Sequence, residues 1–576
     1  MIVKRLCEHY EALKEDGRTP AYGWGKAAVN LGLLLSEDGE VLKLIPLTQT
    51  VQMGKKEALK VQEHIVPMPV VRSSGILPNF LCDNASYILG LGKKGNEKFE
   101  ALKLLHQQLL ENNGNMFAKA ILRYFDKWNT AVNEHPVILE SKKLLDEGRG
   151  IVFMLHGNRF AHEEPELQEL WNAHYSQNED TAKRLCLISG NREPIARLHD
   201  KVKGVPGAQS VGANLISINA DSFVSYNLSD GIPGAPIGTY SAFAYVTALN
   251  TLLEDFEHRL DLGDTRIVYW AEKADRKAAD LVAISLMPPR ESEEHILQSV
   301  FDQAEQGLPV EDIPFQERFY ALGLRPNAAR VSVSLFLESS FGDILRNIHR
   351  HYKRLEIARP VFDKRVYLTP RDIMGETINP NSTVKKPNPQ IMSGLIRAIF
   401  TDTKYPYSLY ESVLMRVRAE QGPKKVSRGK AAIIKACLLQ YLPENERKCI
   451  TVSLNPENKN KAYVLGRLFA VLEGIQEAAS PELKKTIRDS YFNSACANPR
   501  IAFPQILKLS EHHLKKLKRD KPGMAVNYKK QIQGLLSILE VSEEPFPAYF
   551  PLQKQGLFIL GYNQQRQTFF IKKEEE

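Results

Sequence analysis

Strand-like segments stop near residue 342 of this 576-residue chain, and only helical periodicity follows. Before that point, short apolar runs ended by glycine or by a charge recur, as in GIVFMLHG (150–157) and RVSVSLFLE (330–338). After it, apolar residues recur every three or four positions, as over residues 464–475. We therefore predict an α+β fold, in which mixed strand–helix amino-terminal and middle regions are followed by an all-α carboxy-terminal helical bundle.

Periodicity and turn residues predict individual elements within this scheme. We expect an amphipathic helix over 1–15, strands within 28–71, helices within 96–129 that break at Asn112–Gly114, and a helix over 241–256. We expect further strands over 183–190, 266–273 and 330–338. We predict that the strand over 183–190 is buried. In the strand over 330–338, we expect one face to carry Val331, Val333, Leu335 and Leu337. Ser480-Pro481-Glu482 is a predicted helix start.

These elements divide the chain into four predicted regions. We expect an amino-terminal mixed α/β region over 1–140, a middle α+β domain over 141–345, a helical basic connector over 346–451, and a helical bundle over 452–576.

Composition excludes several classes of protein. Hydrophobic residues make up 43% and charged residues 25% of the chain, which is typical of a globular protein. The six cysteines form no CxxC pair, so neither a zinc site of common spacing nor a disulfide framework is predicted, and a reducing cytoplasm is expected. No apolar run is long enough to span a membrane, and the amino terminus lacks the pattern of a signal peptide.

The positive charge is concentrated near the carboxy terminus. Residues 452–576 contain 19 Lys and Arg against 13 Asp and Glu, whereas the whole chain carries a net charge of +8. Lysine-rich helices are commonly just solvated faces, but the same pattern fits a surface that follows a phosphate backbone. The candidate residues in the connector and the bundle are Lys424, Lys425, Arg428, Lys430, Lys515, Lys516, Lys518, Arg519, Lys521, Tyr528, Lys529 and Lys530.

Two polar segments could contact a ligand closely. RSSGILPNFLCDNASYILG (72–90) offers short or fork-shaped donors, and the segment 190–227 places amides among glycines that let a backbone approach phosphate oxygens. Asx turns and simple glycine turns use the same residue types, so both alternatives stay open. The candidates are Lys55, Lys56, Arg72, Ser73, Ser74, Asn79, Asn84, Gln209, Ser210 and Asn214.

Signatures of common enzymes are missing from the sequence. It contains no GxxxxGK[ST], HExxH or GxSxG motif. The pair His199-Asp200 and the segment HGNRFAHEE (156–164), which contains His156 and His162, could belong to a metal-dependent HD-type nuclease, but their spacing matches no standard ligand set. We therefore expect no enzyme activity, no cofactor and no metal, with the nuclease kept as an alternative.

Several segments together resemble the large subunit of the type I-C CRISPR Cascade, a crRNA-guided surveillance complex. They are MIVKRLCEHYEAL, RSSGILPNFLCDNASYILG, GNREPIARLHDKVKGVPGAQSVGANLISIN, SAFAYVTALNTLL, RVSVSLFLESSFGDILRNIHRHYKRLEI, YVLGRLFAVLEGIQE and QGLFILGYNQQRQ. The resemblance extends over essentially the whole chain.

The resemblance implies a non-catalytic DNA-binding role in the bacterial cytoplasm. Such a subunit recognises the PAM in double-stranded DNA, helps to open the duplex, stabilises the displaced strand and offers a docking surface to a helicase-nuclease. The implied partners are the Cascade backbone and crRNA-end subunits, the target DNA, and small subunits that resemble the bundle and can be made separately, here from a start near Val452. A purely structural scaffold is the other alternative.

On this interpretation, we expect the amino-terminal candidates and the segment around Gln209 to contact PAM DNA. The basic candidates of the connector and bundle, with Tyr528 as a stacking platform, would line the path of the displaced strand.

Overall fold

The fold is described from a computed structural model of the chain. It describes residues 1–53, 56–70, 72, 75–128, 135–177, 183–218, 235–273, 275–288, 294–360, 363–383, 385–540 and 544–570. The chain forms two compact units, and each is described by itself. The first contains Met1–Asp200 and Ile216–Thr251, and the second contains Lys201–Leu215 and Leu252–Glu576.

The first unit is built around a mixed sheet. Its strands are β1 (Trp24–Leu35), β2 (Val41–Pro46), β3 (Thr48–Met53), β4 (Lys56–Pro67), β5 (Cys82–Asn84), β6 (Gly150–Leu155), β7 (Arg159–Phe160), β8 (Lys183–Leu185) and β9 (Arg192–Pro194). Its helices are α1 (Ile2–Glu15), α2 (Ala85–Ile88), α3 (Gly95–Leu110), α4 (Met116–Lys127), α5 (Pro136–Glu140), α6 (Lys142–Leu145), α7 (Pro165–Gln177) and α8 (Thr239–Glu254), the last of which ends in the second unit.

Strand β1 lies at the centre of this sheet. The strand order is β3-β4-β1-β6-β5, with β2 also paired to β1 and β7 to β6. Strand β1 is antiparallel to β2 and β4 and parallel to β6. Leu31, Leu33 and Phe153 of the sheet pack against apolar residues of α3 and α4, which places the core on that face.

The second unit begins with an antiparallel sheet. Its strands are β10 (Arg259–Leu262), β11 (Thr265–Ala271), β12 (Arg318–Asn327) and β13 (Arg330–Ser340), which pair in that order. Strand β11 confirms the strand predicted over 266–273, and every one of its residues is buried.

Helices form the rest of the second unit. They are α9 (Arg276–Leu286), α10 (Glu294–Glu305), α11 (Phe341–Leu355), α12 (Pro370–Gly375), α13 (Pro389–Thr401), α14 (Tyr407–Ala419), α15 (Arg428–Tyr441), α16 (Glu444–Arg447), α17 (Lys461–Ala479), α18 (Ile487–Ala497), α19 (Pro499–Asp520), α20 (Pro522–Glu540) and α21 (Leu552–Thr568). The described residues after Ser340 contain no strand, so the predicted α+β fold with an all-α carboxy-terminal bundle is confirmed.

Helices α17 and α21 pack closely at the centre of the bundle. A Cβ atom on Gly466 would lie 2.0 Å from the carbonyl oxygen of Phe558, and one on Gly561 would lie 2.2 Å from that of Tyr463. Only glycine permits this approach of two backbones. One hydrophobic cluster extends from β11 through the connector helices to α21, so the bundle shares its core with the residues before it.

Three local predictions are wrong. Segment 183–190 contains only the short strand β8, whose middle residue alone is partly covered, and a turn follows it. In β13, Val333 is 41% exposed although Val331 and Leu335 are buried, and the pairing register with β12 shifts between Val333 and Leu335. Ser480 ends α17 rather than opening a helix, and α18 begins instead after Thr486, whose side chain forms a capping box with Asp489.

The four predicted region boundaries stay predictions.

Among the described residues, no helix is both long and apolar enough to cross a lipid bilayer.

Candidate nucleic-acid interface

Arg72 lies within a hydrogen-bonded cluster of the first unit. Its Nη1 donates to Oδ1 of Asp83 at 2.9 Å, and its Nη2 pairs with the other carboxylate oxygen. Its Nε donates to the carbonyl of Leu77 at 2.7 Å, and the guanidinium stacks 4.0 Å above the ring centroid of Tyr87. Arg72 therefore holds the loop before α2 in place, and a guanidinium so engaged has little capacity left to contact a base.

The asparagines of the same loop also make local hydrogen bonds. The side-chain oxygen of Asn79 accepts from the backbone N–H of Val70 at 2.9 Å. Asn84 caps α2, because its Oδ1 accepts from the N–H of Ser86 at 3.1 Å. For Asn84 the alternative of an Asx-type turn describes the geometry found, and its DNA contact stays a prediction.

The remaining candidates of the amino-terminal region are only partly described. Lys55, Ser73 and Ser74 lie outside the described residues. The backbone of Lys56 begins β4 and pairs with Met53 of β3. Lys56 is thus at the end of the β3–β4 hairpin.

The glycine-containing segment of the second unit forms an exposed loop. An antiparallel bridge between Val202 and Ala213 closes it, and Gly204, Gly207 and Gly212 all have positive φ. Gln209 and Ser210 are exposed within the loop. Such turns leave both backbone and amides accessible to a ligand.

Asn214 plays a different part at the base of this loop. Its N–H donates to the carbonyl of Ala329 at 3.1 Å, and its carbonyl accepts from the N–H of Val331 at 3.0 Å. The backbone of Asn214 therefore anchors the loop to β13.

Three basic residues of the connector are directed into the protein. The ammonium of Lys425, 2% exposed, donates to the carbonyl of Glu420 at 3.0 Å, and burial lowers the pKa of Lys425. Lys430 pairs with the Glu420 carboxylate at 2.6 Å, and Arg428 donates to the carbonyl of Arg365 at 2.6 Å. Lys424 alone of the four connector candidates is exposed.

The basic candidates of the bundle are arranged differently. We define the bundle basic surface as the exposed side chains on the end of α19 and the start of α20, which are Lys515, Lys518, Arg519, Lys521, Lys529 and Lys530. Of these, Arg519 pairs with the adjacent Asp520 at 2.9 Å. The five lysines make no ion pair within the described part of the chain, so their charges face solvent.

Lys516 and Tyr528 contribute to the bundle itself. The ammonium of Lys516 donates to Oγ of Ser480 at 3.1 Å. The ring of Tyr528 packs edge-on against Phe569, 6.2 Å between centroids, and lies against Gly474. The ring of Tyr528 is therefore half-buried, and its role as a stacking platform stays a prediction.

Among the described residues, His199-Asp200 is part of no group of potential metal ligands. Nδ1 of His199 lies 2.8 Å from the hydroxyl of Tyr245, and His199 belongs to neither of the potential metal-ligand groups formed by the described residues. His156 is exposed on the turn before β7 and also belongs to neither group among those residues.

One of these groups combines residues that are distant in the sequence. His64 of β4 meets His162 and Glu163, which follow β7. His162 is a candidate on sequence grounds, but no sequence pattern singles out His64, because 98 positions separate the two residues and only the pairing of strands brings them together. In the other group, both ring nitrogens of His258 already have partners, because each is 2.7 Å from a carboxylate oxygen, one of Asp255 and one of Asp280.

The fold defines a large α+β protein whose carboxy-terminal helical bundle carries an exposed basic surface. A family model described as CRISPR-associated protein (Cas_Csd1) matches residues 6–570, and the chain therefore belongs to this family of CRISPR-associated proteins. A search of curated proteins found no match.

Proposed function

We propose that the chain is the large subunit of a type I-C Cascade. In this role it recognises the PAM in double-stranded DNA, helps to open the duplex, stabilises the displaced strand and provides a docking surface for the helicase-nuclease. The observation that carries the proposal is the family membership over residues 6–570, since it extends through both compact units.

The bundle basic surface supports the DNA-binding part of the proposal. Its lysines project from consecutive helices joined at Lys521, and they are not neutralised by carboxylates of the described residues. Phosphate groups that bind there release condensed counterions, which gives affinity without sequence preference. Sequence recognition then requires only a local contact near the PAM, because the guide pairs with the rest of the target.

For PAM contacts we favour two separate candidates, which are the exposed loop with Gln209 and Ser210 in the second unit and Asn79 in the first unit. The side chains of Gln209 and Ser210 are exposed. Arg72 instead stabilises a different loop, the one before α2, through its hydrogen bonds to Leu77 and Asp83. Lys55, Lys56, Ser73 and Ser74 remain candidates on sequence grounds alone.

The decisive experiment uses the assembled complex. The chain is co-expressed with the products of neighbouring genes and a guide, and gel shifts are run against a target library with randomised flanking bases. We expect selection of a short flanking sequence, which weakens when Gln209 and Ser210 are both changed to alanine. A complex without this subunit that selects the same bases equally well would refute the proposal.

The proposal also makes the chain non-catalytic. Purified protein with labelled DNA and either Mg²⁺ or Mn²⁺ should leave the DNA intact. Cleavage that disappears in the His199→Ala variant would favour the HD-type nuclease instead. An assembled complex whose DNA footprint avoids this chain would favour the scaffold.

A further inference from the structure

Two histidines meet on the face of the sheet opposite the main core of the first unit. His64 lies in β4 across from Ala27 of β1, whose small side chain leaves room for the imidazole. His162 lies in a 3₁₀ turn at Ala161–Glu163, directly after β7. The two rings are 5.3 Å apart between centroids and nearly perpendicular, at 81°.

The buried nitrogens of these rings lack partners. Nε2 of His64 and Nδ1 of His162 have no hydrogen-bond partner within the described ranges, although both atoms are buried and His162 is only 1% exposed. A buried nitrogen without a partner is costly, and a bound ion is one of the ordinary ways to satisfy it.

Glu163 completes a set of potential ligands. One ligand atom from each of His64, His162 and Glu163 lies within 4.8 Å of the other two. Tetrahedral zinc holds its nitrogen ligands about 3.4 Å apart, given bond lengths of about 2.0–2.1 Å. Rotation of the exposed Glu163 side chain and small rotations of the two rings would bring the three ligand atoms to the spacing that zinc requires.

Neighbouring side chains hold the two imidazoles and the turn that carries His162 in position. Phe160 packs against both rings, with centroid distances of 5.0 Å and 5.3 Å. The 3₁₀ turn is fixed by Gln168, whose side-chain N–H donates to the carbonyl of His162 at 3.0 Å.

We propose that His64, His162 and Glu163 bind one Zn²⁺ ion. Two imidazoles and a carboxylate suit zinc, whereas Mg²⁺ and Ca²⁺ require mainly oxygen ligands. The cluster opens into a depression of about 850 Å³ lined by β4 and Gln168, so water can occupy the fourth coordination position. The ion would join β4 to the turn after β7 and fix the strand that begins at Lys56.

The test measures zinc bound to the full chain from which any histidine tag has been removed. Protein is stripped with a chelator, dialysed against Zn²⁺ and analysed by mass spectrometry of the metal, and affinity is measured by competition with a chromophoric chelator. We expect about one ion per wild-type chain and at least a tenfold lower affinity in His64→Ala and Glu163→Ala. Glu163 is exposed, so its variant should fold even where changes in the histidines do not.

The matched control is His156→Ala, which removes an exposed histidine six positions before His162. It should bind zinc as the wild type does. Added Zn²⁺ should also raise the melting temperature of the wild type and the control, but not of Glu163→Ala. A wild-type chain that takes up no zinc, or Glu163→Ala and His64→Ala variants with wild-type affinity, would overturn the proposal.

Discussion

The guanidinium of Arg72 and the carboxylate of Asp83 form a bidentate pair, although the Asp83 side chain is only 1% exposed. The same carboxylate accepts backbone N–H groups from Asn79 and Asn84, at 2.9 Å and 2.8 Å. Asp83 therefore organises the whole loop from its buried position. The segment that the sequence suggested for DNA contacts is thus stabilised by a carboxylate, a group that the phosphates of DNA repel.

This pair predicts a large effect on stability. Arg72→Ala leaves the buried Asp83 without its cation, so the free energy of unfolding of the first unit should fall by about 3 kcal/mol. Arg72→Lys keeps the charge but loses the fork geometry, so it should recover only part of that loss. Urea denaturation followed by circular dichroism measures both.

The same pair affects how DNA-binding variants are interpreted. Arg72→Ala should reduce PAM selection because the loop before α2 loses its fixed conformation. Asp83→Ala should reduce PAM selection equally for the same reason, since a carboxylate does not itself bind DNA. Normal selection in Asp83→Ala, with a loss in Arg72→Ala, would instead indicate direct contact of Arg72 with DNA.

The bundle basic surface predicts salt-dependent binding. Changing Lys518, Lys529 and Lys530 together to alanine should weaken binding of the assembled complex to matched and PAM-altered targets by similar factors. The slope of log affinity against log salt should become shallower by about 2, for three lost contacts to a single strand. Gel shifts at four salt concentrations give the slope.

A control variant of equal charge removes Lys93, Lys277 and Lys459, which are exposed elsewhere. It should keep the wild-type slope. If both triple variants changed the slope equally, the effect would come from net charge and not from this surface.

A buried network at Glu473 predicts the stability of the bundle. Glu473 is fully buried and accepts hydrogen bonds from Thr486 and Tyr562, each at 2.6 Å. It also pairs with Arg488 at 3.4 Å and Arg566 at 3.9 Å. Glu473→Ala should lower the free energy of unfolding of the second unit by about 3–5 kcal/mol, because Arg488 loses its paired carboxylate and the buried hydroxyls of Thr486 and Tyr562 lose their acceptor.

The neighbouring Glu477 offers a matched comparison, since it pairs with the same Arg566 at 2.6 Å but is 37% exposed. Glu477→Ala should cost about 0.5 kcal/mol, because water screens an exposed pair. Chemical denaturation of both variants would contradict this account if the two losses were equal.

His106 predicts a dependence of stability on pH. It is fully buried, its Nδ1 lies 2.8 Å from the carbonyl of Leu102, and its Nε2 accepts the N–H of Leu81 at 3.2 Å. Burial lowers the pKa of His106 to about 4. The unfolded chain binds a proton below pH 6.5 while the folded one does not, so this contribution is complete above pH 6.5 and is lost as the pH falls towards 4.

The expected loss from His106 over that range is about 3 kcal/mol, with a slope of about 1.4 kcal/mol per pH unit. His106→Phe should be less stable at pH 7, since the N–H of Leu81 loses its acceptor, but its stability should fall less steeply on acidification. Urea denaturation at pH 7, 6 and 5 measures the slope, and His156→Ala, at an exposed position, should match the wild type.

The sequence alone determined the identity of most elements. Strand β11 was predictable because burial on both faces leaves a short, continuous apolar run in the sequence. Helix α17 was predictable because its large apolar residues Val464, Leu468, Leu472 and Ile475 recur at helical spacing, although nearly the whole helix is buried. The start of α18 was misplaced because Ser480 and Thr486 both carry capping side chains, and only the capping box with Asp489 selects the second.

Tertiary structure decided which polar residues are available to a ligand. Lys425 and Lys529 are alike in the sequence, yet one donates to a buried carbonyl and the other faces solvent. Likewise, His64 and His162 become neighbours only through strand pairing. Periodicity is a local property that the sequence records, whereas the partner of a charge or a ring nitrogen comes from a distant segment, so the fold must form before it can be identified.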